Sequence, residues 1–250
     1  MTLEDVREFL EEYRYLHRND GDGDIGLLLE LVAVRDRMDA ETRAVFDQLL
    51  VALIRSDPEP QNRMDAVDLL AMARWQGKHK PSENVFAEVA DWLRSEPSHV
   101  EVSERINMIR RILCSRTDQA IDLYEELLNW DMLNDPAQAL QTMSYLYVIT
   151  RSEGYKVRLA QGLCTYASSE GANMQYVLNN LLLVGEYGGL DFVDEVIKEV
   201  EVTCPTTSYF LVDALIREAE RYLGMGWSQS MRELLREILS LLRSYHSRRS

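Results

Sequence analysis

Little in this 250-residue chain encodes chemistry directly. The three cysteines, Cys114, Cys164 and Cys204, are odd in number and lack CxxC spacing, so neither a disulfide framework nor a thiolate metal site is expected. Buried reduced thiols are the plainer reading. The four histidines, His17, His79, His99 and His246, include no pair at i, i+4 and no HExxH, which leaves metal catalysis without a motif. The stretch LGMGW lacks the lysine and spacing of a phosphate loop. A Cys–His nucleophile pair has no support beyond the presence of both residue types. No apolar run reaches the roughly 20 residues that span a bilayer. The opening MTLEDVREFL is acidic where a signal peptide would be basic and then apolar, so a cytoplasmic protein is expected. Sustained strand alternation is also missing.

What is present is acid and helix. The formal net charge is −15, and residues 1–60 carry 15 acids against 7 bases. Such a field repels phosphate backbones and anionic lipid, because nucleic-acid affinity comes largely from basic groups displacing counterions. A basic protein is the better expectation as partner, although acidity also serves solubility alone. With 46% hydrophobic residues the chain can build a substantial core. In LEDVREFLEEYRYL, SERINMIRRIL and MRELLREILSLL apolar residues recur at three and four, the helical period. Thirteen helices are predicted, at 2–18, 25–36, 40–56, 61–76, 82–95, 100–115, 118–130, 136–151, 155–169, 172–186, 190–202, 206–223 and 227–246.

The breakers are evenly spaced. Pro58, Pro97 and Pro136 follow one another at 39 residues, each after an acidic residue, and from Gly154 three successive gaps are 17 residues. Two helices per unit at this period describe a stack of α-hairpins. Each proline should mark the turn inside a hairpin, since it excludes the helical conformation of its predecessor and lacks the amide needed to continue. The 39-residue register also aligns apolar positions: Phe46, Val85 and Tyr124; Leu50, Val89 and Leu128; Ile54, Leu93 and Met132; Val67, Ile106 and Tyr145; Leu70, Ile109 and Val148. These should form the core.

The segment LLVALIRSDPEPQNRMDAVDLL resembles a HEAT repeat, with Asp57-Pro58 at the turn and Arg63, Ala66 and Val67 where that pattern places its arginine and its small or branched residues. The match is partial over WLRSEPSHVEVSERINMI and LNDPAQALQTMSYL, where Glu101 and Gln138 stand near the arginine position, and only periodic after Gly154. The resemblance implies an all-α, right-handed superhelical solenoid of 12–13 helices. The expected organisation is a single domain over 1–250: an N-terminal cap at 1–38, about five hairpins over 39–223 and a capping helix at 227–250. It also implies an interaction scaffold whose second helices line a concave face. A few bacterial relatives of that family excise DNA bases, which makes a DNA-glycosylase-like enzyme the competing expectation.

Asp65 and Glu104 are equivalent in the register, and Asp68 follows Asp65 by one turn, so the three could form a negative ridge steering a basic partner. The candidate partner-binding set is Asp65, Asp68, Glu104, Trp75 and Arg111, with no catalytic residue, cofactor or metal expected. The function expected is a non-catalytic protein-binding module, such as an immunity or inhibitor-type protein. Trp75, Trp92, Trp130 and Trp227 sit near helix ends, where aromatics pack between helices or anchor a partner. The loop QGKHKPSE holds two of four lysines and reads as a solvated turn. NDGDGDIGLLLE, residues 19–30, approaches a calcium loop, but position 1 falls on Arg18 and position 12 on Leu29, so an acidic connector with Asp24 as a helix cap fits better.

Overall fold

A computed structural model describes residues 1–17, 23–114 and 120–248. Among these residues there is no strand, and the thirteen helices are α1 (Leu3–His17), α2 (Gly23–Arg37), α3 (Ala40–Ser56), α4 (Pro60–Trp75), α5 (Glu83–Arg94), α6 (Val102–Cys114), α7 (Ile121–Asn134), α8 (Pro136–Thr150), α9 (Glu153–Ala167), α10 (Met174–Gly188), α11 (Leu190–Thr203), α12 (Ser208–Leu223) and α13 (Gln229–Ser247). Helices pack in neighbouring pairs, an arrangement compatible with a helical-repeat solenoid. The chain divides within α7 into two compact units, Met1–Leu127 and Leu128–Ser250.

In the first unit α1 packs on α3 and α3 on α5, while α2 packs on α4 and α4 on α6, so the hairpins stack as two layers. The helix boundaries follow from local chemistry. Asp39 caps α3 by accepting from the Thr42 amide, and Pro60 starts α4 at a position whose amide would have no helical partner. Between them Asp57 ends α3, and its carboxylate accepts from the Glu59 amide at 2.9 Å and from Arg7 Nε of α1 at 2.7 Å. The acidic residue before Pro58 is therefore a buried junction of α1, α3 and α4. Burial alone would raise its carboxyl pKa, but the bonds from Arg7, the Glu59 amide and Asn62 outweigh it and hold the group below the ordinary range.

In the second unit the pairs are α8/α9, α10/α11 and α12/α13, with α8, α10 and α12 in one layer and α9, α11 and α13 in the other. Arg151, in the left-handed conformation at φ 52°, ends α8 and turns the chain into α9. Gly189, at φ 90°, does the same between α10 and α11, where a side chain would be strained.

The 39-residue register picks out buried residues at every aligned position except two: Met132 is 52% exposed and Val148 is half-buried. Pro58 and Pro97 lie inside hairpins as expected, whereas Pro136 opens the α8/α9 pair. Met132 lies on α7 and Val148 near the end of α8, while Tyr145 on α8 keeps its buried register position. The stretch carrying Asp20 and Asp22 of the calcium-like loop lies outside the described residues.

Candidate functional site

Helix α4 divides cleanly into two faces. Asn62, Arg63, Ala66, Val67, Leu69, Leu70 and Ala73 are buried. Asp65, Asp68, Met72 and Trp75 recur at three, four and three residues on the opposite stripe. Asp65 Oδ1 accepts from Gln61 Nε2 at 2.7 Å within the helix. Arg111 Nε of α6 reaches Asp68 Oδ1 at 3.0 Å, with Arg111 itself well exposed. Trp75 ends the row and is 42% exposed. Its backbone carbonyl accepts from Lys80 Nζ at 2.9 Å, which ties the following loop to the helix end.

Four of the five expected residues thus share one surface, formed by the outer stripe of α4 and the adjoining edge of α6. The fifth, Glu104, is placed differently. Its side chain is 10% exposed, and both carboxylate oxygens accept from Arg63, from Nε at 2.7 Å and Nη2 at 2.8 Å. A carboxylate so buried and engaged has little charge to offer a partner, so the row consists of Asp65 and of Asp68, itself paired with the exposed Arg111, with Glu104 beneath.

The Arg63–Glu104 pair belongs to a series. Arg35 of α2 donates from Nε and Nη2 to both oxygens of Asp47, each at 2.6 Å, and from Nη1 to the His79 carbonyl at 2.5 Å. Arg63 of α4 adds a bond to the Asp57 carbonyl. Arg105 of α6 donates from Nε to the Leu93 carbonyl at 2.8 Å and from both terminal nitrogens to Glu126. Each arginine therefore joins one carboxylate through a fork and one backbone carbonyl across a helix boundary. The HEAT-like pattern includes Arg63 but places its counterpart near Glu101. Arg105 lies 42 residues after Arg63, one helical turn beyond the 39-residue register, so the function is kept while the position slips.

The loop QGKHKPSE is exposed but anchored: the Lys78 and His79 amides donate to Asp36 at 2.5 and 3.2 Å. Of the tryptophans, Trp92 is buried beside His99, and Trp227 stacks on Tyr222 at 5.3 Å. Cys164 is buried, and Cys204 at the end of α11 is partly so. Burial, and after it the neighbouring Cys204 thiol, push the Cys164 thiol far above its usual range, which removes the thiolate needed for nucleophilic chemistry. Among the described residues no group of three His, Cys, Asp or Glu is placed to hold a metal ion, and no helix is long and apolar enough to cross a membrane. Comparison with protein-family models, with curated proteins and with solved structures returns no match to this chain.

Proposed function

We propose that the chain is a HEAT-like, right-handed helical-repeat protein acting as a non-catalytic binding module for a basic protein segment, received on the outer stripe of α4. The observation that carries this reading is the half-exposed indole of Trp75 at the end of the row that holds Asp65 and Asp68. Ten residues of helix place Asp65 and Trp75 about 15 Å apart, the reach of four or five residues of extended peptide. Carboxylates at one end steer a cationic segment, and an indole at the other supplies the desolvated contact that slows its departure. The net charge of −15 extends the same attraction over the whole molecule. Among roles of this kind we favour an inhibitor or immunity-type protein that sequesters a basic partner.

Retention of host proteins on the immobilised chain, followed by challenge with variants, tests the reading. A basic protein should be retained, released by raised salt, and lost to Asp65→Lys/Asp68→Lys and to Trp75→Ala. Retention indifferent to all three substitutions would overturn the assignment of this surface. Affinity for duplex DNA that falls steeply with salt would favour the base-excision class instead.

A further inference from the structure

The second unit contains a groove that the protein-binding reading does not use. It runs between α8 and α9 and encloses a volume of ≈ 680 Å³, inside the ~300–1,000 Å³ span of small-molecule sites. The helices are antiparallel neighbours, and Gly162 of α9 sits against Leu140 of α8 so closely that a Cβ there would lie 2.7 Å from Leu140 Cδ2. The glycine lets Leu140 close against α9 at the floor of the groove. Leu140, Met143, Pro136, Ala137 and Tyr166 line the walls, joined by Met132, the residue left exposed where the repeat register expects core. Two methionines in an apolar wall suit a ligand body of variable shape.

The groove's one basic residue is Arg158. Arg158 lies near the Tyr155 ring, 5.8 Å from its centroid, and among the described residues no carboxylate pairs with it. Two residues away Lys156 is held by Glu153 at 2.8 Å and Glu199 at 3.9 Å. The groove's acid, Asp135, is occupied as the cap of α8, accepting from the Ala137 and Gln138 amides. With Gly162 level with Leu140, Arg158 stands near residue 144, roughly 13 Å along α8 from Asp135. The site is therefore an apolar trough with an uncompensated cation at one end. Two smaller clefts each hold an ion pair in their lining, Glu220 with Arg243 at 2.7 Å, beside Arg236, and Arg55 with Glu88 at 3.9 Å.

We propose that this groove binds a small amphipathic carboxylate of the fatty-acid type, with Arg158 taking the carboxylate and the α8/α9 trough taking the apolar body. Titration calorimetry of the full chain with dodecanoate, well below its micelle concentration, tests this. One-to-one binding is expected. Arg158→Glu should weaken it tenfold or more, on the order of a lost charge-assisted bond. Thr165→Trp, which fills the groove from an exposed position, should abolish it, with circular dichroism confirming that both variants fold. Dodecanol should bind about tenfold more weakly than dodecanoate, for the same reason. Absence of binding, equal affinity for the alcohol, or affinity unchanged in both variants would overturn the proposal. So would a chain that dimerises through this face, with Thr165→Trp dissociating the dimer and dodecanoate having no effect.

Discussion

The two units solve the same packing problem with different polar chemistry. In the first, Arg35, Arg63 and Arg105 are buried and each grips a carboxylate through two nitrogens. In the second, among its described residues, no arginine is buried, and neighbouring helices are joined by hydroxyls and an amide. Tyr147 donates to Glu195 at 2.6 Å, Tyr245 to Asp194 at 2.5 Å, Thr142 to Asp131 at 2.7 Å and Ser144 to Asn180 at 3.0 Å. The tyrosine bonds both end on adjacent acids of α11. The contrast is that paired helices are fastened by buried ion pairs in one unit and by hydroxyl bonds in the other. It also predicts unequal fragility: a forked ion pair leaves a buried charge when one member is removed, whereas a hydroxyl leaves a smaller deficit.

The largest effect should therefore come from Arg63→Ala, which strands Glu104 and should cost about 3–5 kcal/mol in urea unfolding. Arg63→Leu/Glu104→Leu sharpens the point, since removing both charges together should recover most of that loss. A double variant as unstable as the single one would show that the arginine's aliphatic packing, and not the ion pair, holds the layer.

Asp57 comes next. Its folded pKa lies below the unfolded value near 3.8, so the stability it contributes is full above that value and lost as pH falls through the folded one. Asp57→Asn should lower stability at neutral pH by roughly 1–3 kcal/mol and flatten the acid limb of the pH profile. In the second unit Tyr147→Phe should cost only about 1 kcal/mol. Burial and then the Glu195 bond raise that phenol, so its contribution persists up to the unfolded value of 10.0 and declines only as pH rises further. A Tyr147→Phe loss as large as that of Arg63→Ala would erase the distinction between the units. Smallest is the thiol difference. Cys204 should react with iodoacetamide faster than buried Cys164, as read by peptide mass mapping, without measurable change in stability.

Much of the architecture was legible in the sequence because burial is periodic. Phe46, Val85 and Tyr124 share a register and all are core, and every expected helix is present within four residues of its bounds. Pro136 misled because proline reports a break in the chain, not which neighbour the next helix chooses. The arginine series was half-hidden, since a long side chain reaches the same carbonyl environment from one turn away, and Arg105 left the 39-residue grid without leaving its role. The row from Asp65 to Trp75 follows from helical spacing alone. That Glu104 is engaged by Arg63 does not, because a register position says nothing about a partner on the next helix. The α8/α9 groove was also invisible to spacing, as its floor depends on one glycine meeting one leucine.

The α4 surface is tested most directly by the association rate of the retained basic partner with the native chain and with Asp65→Lys/Asp68→Lys, at low and high ionic strength. Steering by these carboxylates predicts association slowed about tenfold or more at low salt, with the difference vanishing as screening shortens the field. Equal rates for the two proteins at low salt would contradict it.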